Sequence, residues 1–193
     1  MPDPAEIESY LILMNVAKDS NFGFLIRTAN AFGARIIICG RTKFSRMGAT
    51  ARTRRTPFLR ISRLADAIDY VRERGCRVLG IEIGRDATSI WSNPYQGSTA
   101  FVLGNEGTGL TDSQIAACDQ LVYIPQYGGA VSLNINVAGG IVLSHFGQWA
   151  GFRETEICGR QFVHSEDPRI TVFKEKTGKI RRDPACEQDS DPD

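Results

Sequence analysis

An α/β domain with a mostly parallel sheet flanked by helices is what this 193-residue sequence predicts. Two observations carry that expectation. Strand-like and helix-like segments alternate up to Trp149, in the order strand, helix, strand, helix, strand, strand, helix, strand, helix. The strand-like segments are continuous apolar runs, the pattern of strands buried on both faces.

Each element has a local cause. Tyr10 to Val16 (YLILMNV) is a short apolar run ending at Lys18-Asp19-Ser20, which predicts a buried strand. Asn21 to Ala31 follows as a helix: Phe22, Leu25, Ile26 and Ala29 share one face, Ser20 or Asn21 can cap it, and Gly33 stops it. Arg35 to Cys39 (RIIIC) is β-branched and strand-like. Residues 40–62 read as a connection. Arg63 to Arg74 is an amphipathic helix (Leu64, Ala67, Ile68, Val71) ended by Gly75. Arg77 to Ile83 is a strand, followed by a polar stretch containing Asn93-Pro94. Thr99 to Leu103 is a strand, Asp112 to Ala117 a short helix, and Leu121 to Ile124 a short strand. Ser132 to Trp149 is the last clear helix, with Ser132 as its cap.

Apolar residues make up 42% and charged residues 23%, ordinary values for a globular domain. No apolar run approaches the roughly 20 residues that span a bilayer. Met1 to Ile7 is acidic and lacks a charged-then-apolar signal, so a cytoplasmic, reducing location without membrane contact is expected. Five scattered cysteines without a CxxC pair read as free thiols, and no metal site is expected. The expected organisation is one domain over 1–153 and a polar extension over 154–193. In that extension Ile170 to Phe173 could pair as an edge strand and the last dozen residues are disordered.

Net charge is +1, but its distribution is uneven. From Arg41 to Arg63 there are eight basic residues (Arg41, Lys43, Arg46, Arg52, Arg54, Arg55, Arg60, Arg63) and no acidic one. The chain after Arg153 holds ten acidic residues against seven basic ones. A single basic segment on a mildly basic core fits a local polyanion contact.

Three segments are richer in glycine and polar residues than their surroundings require. The first runs from Asn21 to Gly33 and carries Asn21 and Arg27, six residues apart. The second, Leu103-Gly104-Asn105-Glu106-Gly107-Thr108-Gly109-Leu110, directly follows a strand. Its glycines allow close approach of a ligand, and it fits neither the P-loop nor the G-x-G-x-x-G dinucleotide pattern. The third, Ile124 to Ala138, passes from a strand end through Gly128-Gly129 into a helix start. There Asn134 and Asn136 are poor helix formers, which points to a ligand role for one of them. Loops outside the carboxyl ends of parallel strands are where open α/β sheets bind small molecules.

Together the three segments resemble the signature motifs of the SpoU (TrmH) family of SPOUT methyltransferases. The match is N-x5-R-T-A-x-A-F-G, then L-G-N-E-G-x-G-L, then I-P-x5–6-S-L-N-x3-A, in order across about residues 10–150. The resemblance implies a C-terminal trefoil knot, a homodimer, and transfer of a methyl group from S-adenosylmethionine to a ribose 2′-hydroxyl of tRNA or rRNA. It implies catalytic roles for Asn21, Arg27, Glu106, Ser132 and Asn134. It implies donor binding by Leu103, Gly104, Asn105, Gly107, Ile124, Gln126 and Leu133. The basic segment, with Arg41, Lys43, Arg46, Arg52, Arg54 and Arg55, would then contact RNA phosphates. Many family members carry a separate N-terminal RNA-binding domain that is not seen here. Substrate choice is therefore expected from the catalytic domain, its extension or an accessory protein. Base methylation, or an RNA-binding subunit that needs a partner for activity, are the alternatives.

Overall fold

In a computed structural model of the chain, the structure describes residues 6–14, 19–40, 58–155, 157–158 and 161–162. The elements are β1 (Ser9–Met14), α1 (Asp19–Ala31), β2 (Arg35–Cys39), β3 (Phe58–Ile61), α2 (Leu64–Arg72), β4 (Arg77–Ile81), β5 (Thr88–Ser89), β6 (Thr99–Leu103), α3 (Asp112–Ala117), β7 (Gln120–Tyr123), α4 (Ile135–Trp149), β8 (Ile157–Cys158) and β9 (Gln161–Phe162). A 3₁₀ turn, Ile90–Ser92, follows β5. No helix among the described residues is long and apolar enough to cross a membrane.

Seven strands form one sheet in the order β3-β2-β1-β6-β4-β7-β5, with every pairing parallel. The expected α/β class with a parallel sheet is therefore borne out. Continuous apolar runs arise because both sheet faces are buried. Leu11, Leu13, Ile36, Ile38, Phe101 and Leu103 point to the face covered by α1 and α4. Tyr10, Ile12, Ile37, Cys39, Ala100 and Val102 point to the face covered by α2, with Leu110 and Ile115 beside it. Each fully buried aliphatic or aromatic side chain contributes about 1.5–3 kcal/mol relative to exposure. The helices α1 and α4 approach closely at glycine: a Cβ on Gly139 would lie 3.2 Å from Leu25 and 3.4 Å from Leu103.

Several boundaries differ from the sequence reading. Helix α1 begins at Asp19, so Asn21 lies inside its first turn and is not its cap. Strand β3 falls inside the stretch read as a connection; its Phe-Leu-Arg-Ile sequence pairs in parallel with β2. Strand β5 and the 3₁₀ turn occupy part of the polar stretch before Thr99. Strand β7 starts one residue earlier than predicted, at Gln120. Helix α4 starts at Ile135, and its cap is Asn134, whose Oδ1 accepts from the Asn136 N–H at 2.9 Å. Ser132 therefore caps nothing and lies in the preceding loop. The extension contributes the short antiparallel pair β8–β9; Ile170 to Phe173 and the last dozen residues lie outside the described residues.

Register decides where the loops meet. Leu13 pairs with Leu103, Leu103 with Ile81, and Ile81 with Val122. The carboxyl ends of β1, β6, β4 and β7 thus finish side by side. The segments that follow β4, β6 and β7 emerge at one edge of the sheet, where open parallel sheets bind ligands.

Candidate active site at the carboxyl ends of the strands

The loop after β6 is a small closed ring. Asn105 and Gly109 exchange both backbone hydrogen bonds, at 3.1 and 2.9 Å. Asn105 Oδ1 accepts from the N–H groups of Gly107 (2.8 Å) and Thr108 (3.3 Å). A Cβ on Gly104 would stand 2.4 Å from the Gly109 carbonyl carbon, so glycine is required for the ring to close. Outside the ring, Glu82 Oε2 accepts from the Leu110 N–H at 2.8 Å, and its Oε1 from the Ile83 N–H at 3.1 Å. Glu82 thereby ties β4 to the loop. Sequence reasoning did not single it out, because a lone glutamate at a strand end carries no local signal.

On its other side the ring meets the two remaining segments. Asn21 is 7% exposed, and its Nδ2 donates to Glu106 Oε1 at 3.0 Å. Its Oδ1 accepts from Asn136 Nδ2 at 3.0 Å and, at a longer 3.4 Å, from Asn134 Nδ2. One carboxamide in α1 therefore joins the β6 loop to the first turn of α4. Asn21, Glu106 and Asn134 are brought together as expected. Asn136, flagged by its poor helix propensity, makes the shorter contact of the two α4 asparagines, and its Oδ1 is buried without a partner among the described residues. Arg27 and Ser132 are exposed, and neither side chain makes a hydrogen bond or ion pair with another described residue.

Beside this junction lies a cavity of about 390 Å³ lined by Trp91, Ile124, Gln126, Leu133, Ile141 and the 127–130 loop. That volume falls in the range of small-molecule sites. Its lining among the described residues carries no formal charge. Gln126 Oε1 is buried there without a partner, an acceptor that a ligand N–H or O–H could satisfy. Ile124, Gln126 and Leu133 of the expected donor-binding set line the cavity; Leu103, Gly104, Asn105 and Gly107 do not. Leu103 is instead 2% exposed in the core. Trp91, which sequence reasoning missed, forms one wall; its only signal was a large aromatic within a polar stretch.

Of the expected RNA-contacting residues, Arg41, Lys43, Arg46, Arg52, Arg54 and Arg55 lie outside the described residues. Arg63, at the end of that segment, donates through Nε to Asp66 at 2.9 Å on the surface. Among the described residues no group of three or more His, Cys, Asp or Glu could hold a metal ion.

Comparison with known proteins yields the same assignment from three directions. The profile of the SpoU rRNA methylase family matches residues 8–144. A 23S rRNA (guanosine-2′-O-)-methyltransferase, RlmB, of Coxiella burnetii is 36% identical over 145 residues, which are 72% of this chain and 58% of that one. The chain thus spans somewhat over half the length of the curated relative. An AdoMet-bound rRNA methyltransferase from Sinorhizobium meliloti superposes with a TM-score of 0.67 at 30% identity, covering 74% of this chain and 56% of the other. A TrmH/SpoU tRNA modifying enzyme from A. aeolicus gives a TM-score of 0.67 over 90% of this chain and 91% of its own, at 19% identity, a likeness of fold.

Proposed function

Since the chain belongs to the SpoU rRNA methylase family, we propose that it transfers a methyl group from S-adenosylmethionine to a ribose 2′-hydroxyl of structured RNA, ribosomal RNA foremost. The observation that carries this reading is the junction of Asn21, Glu106 and Asn134 beside an uncharged cavity with an unmet amide acceptor. The cavity and its orphaned Gln126 oxygen fit the adenosyl portion of the donor. Ile124, Gln126 and Leu133 would hold it, with the backbone of the loop after β6, from Gly104 to Gly107, meeting the donor from outside the cavity. When bound, the donor supplies an electrophilic methyl carbon on a sulfonium.

The chain's own residues then have to present a hydroxyl and stabilise the charge that grows on its oxygen. Arg27 is exposed on α1, where an RNA phosphate and ribose could reach it. A guanidinium stays protonated in proteins, so Arg27 acts by stabilising the developing alkoxide rather than as a base. Ser132 and Asn134 hydrogen-bond the ribose and hold it in line. Asn21 fixes the start of α1 against the Glu106 loop, which keeps the ribose side and the donor side in register.

The same reading includes a homodimer, in which Arg27 of one copy can face the cavity of the other, and a trefoil knot in the C-terminal part of the domain. The basic residues between Arg41 and Arg55 contact RNA phosphates, and an accessory protein could contribute to substrate choice. A cytoplasmic location goes with RNA as substrate.

Arg27→Ala separates binding from chemistry. We expect it to bind S-adenosylhomocysteine like the parent chain in calorimetry while turnover on RNA falls by about 10²–10³. Nucleoside analysis of the product RNA should show 2′-O-methylribose. Unchanged methylation by Arg27→Ala, or a methylated base in place of a methylated ribose, would overturn this reading.

A further inference from the structure

The cavity has one aromatic wall, and the fold braces it. Trp91 sits in the 3₁₀ turn Ile90–Ser92, where Ser89 Oγ accepts from its N–H at 3.2 Å and Ile90 is fully buried beneath. The indole packs edge-to-face on the His145 ring, with centroids 4.9 Å apart and planes at 72°. His145 Nδ1 lies 2.9 Å from the Tyr95 hydroxyl. Tyr95 in turn packs against Phe101, Phe146 and Trp149. Burial lowers the His145 pKa, so this brace carries no charge at neutral pH. A series of contacts thus runs from the core to the cavity wall, and it ends on a ring that is still 45% exposed.

Scattered surface apolar residues need no explanation. Trp91 differs in lining a cavity with uncharged walls, in being held by both its backbone and its ring, and in sharing that lining with Gln126, whose Oε1 is buried without a partner. A moiety matched to that space is flat, aromatic and uncharged, with an N–H donor at its edge for Gln126 Oε1. A purine base with an exocyclic amino group has those features. Aromatic rings fixed in advance bind such bases at low entropic cost.

We propose that Trp91 is a binding residue of this site, the stacking platform for the purine base of the adenosyl methyl donor. The inference rests on the function proposed above and names a contact that the family motifs do not contain.

The test is calorimetric titration of the full chain with S-adenosylhomocysteine, alongside Trp91→Ala and Trp91→Phe. Trp91→Ala should weaken binding by about tenfold or more, and Trp91→Phe, which keeps a ring, should restore most of the affinity. The chain has two tryptophans. In a Trp149→Phe background Trp91 is therefore the sole indole, and its fluorescence should change on saturation. That readout does not depend on the alanine variant folding. Trp91→Ala affinity within about twofold of the parent chain, or unaltered Trp91 fluorescence at saturation, would remove Trp91 from the site and leave the methyl-transfer reading intact. Failure of the parent chain to bind S-adenosylhomocysteine at all would remove both.

Discussion

Asn21 shows how much a single carboxamide can carry. It is nearly buried, gives one hydrogen bond to Glu106 and accepts from Asn134 and Asn136. A buried polar group left without its partner costs about 1–3 kcal/mol. Asn21→Ala would strip partners from Glu106 Oε1 and Asn136 Nδ2 together. We expect a loss of about 1–3 kcal/mol in urea unfolding and a fall in methyl transfer. Unaltered stability would mean that the cluster does not hold the three segments together. Asn136 belongs to the same residue-scale account: with Asn134 already capping α4, it spends its Nδ2 on Asn21 and leaves Oδ1 buried and unmet.

At the scale of the element, the β6–α3 loop is rigid by construction. Its Asn105–Gly109 bridge, the Asn105 side-chain turn and the Glu82 tether leave it little freedom. Gly109 adopts φ +66°, and a Cβ there would lie 2.3 Å from the Glu82 carboxylate oxygen. Gly128, in the loop after β7, has nothing within 4 Å of a built Cβ. The two glycines Gly104 and Gly128 should therefore respond oppositely to alanine. Gly104→Ala must force the bridge open, because the atom it meets is backbone; a loss of about 1–3 kcal/mol together with weaker S-adenosylhomocysteine binding is expected. Gly128→Ala should melt like the parent chain. Equal melting temperatures for the two variants would contradict a closed ring.

At the scale of the whole molecule, the core beneath α2 buries two thiols. Burial pushes Cys39 up to about 11 and Cys76 up to about 12, with nearby carboxylates adding to the effect. An unfolded thiol titrates near 9.0. Below that pH both states keep their protons and the full contribution is present. Above it the unfolded chain releases protons that the native state retains, so stability falls as pH rises towards the folded values. Burial raises the pKa of Tyr10 and Tyr95 as well, and their contribution has the same sign. The urea midpoint should therefore decline between about pH 9 and 11. Cys39 and Cys76 should resist a thiol reagent at neutral pH until the chain unfolds. A flat midpoint over that range, or rapid native-state labelling of both thiols, would contradict this core.

How much was legible in the sequence follows the range of the forces involved. Apolar runs and period-3.6 stripes are local records of burial, so β2, β6 and α3 matched to the residue and α1, α2 and α4 to within a few residues. The edge strands β3 and β5 left no such record, since β3 holds four residues and β5 two and their hydrogen bonds come from a neighbour. The three polar segments could be picked out by composition and motif, but not the partners within them. Asn21 lies 85 residues from Glu106 and 115 from Asn136, and nothing in either stretch encodes that pairing. The sequence by itself determined which segments become strands and helices and which loops are rich in polar groups. Tertiary structure alone decided that Asn134 and not Ser132 caps α4, that Asn136 and Glu82 join the site, and that Trp91 walls the cavity. Hydrogen bonds and ring contacts act over a few ångströms and in fixed directions, so they exist only once the strand order has brought distant residues to one edge of the sheet.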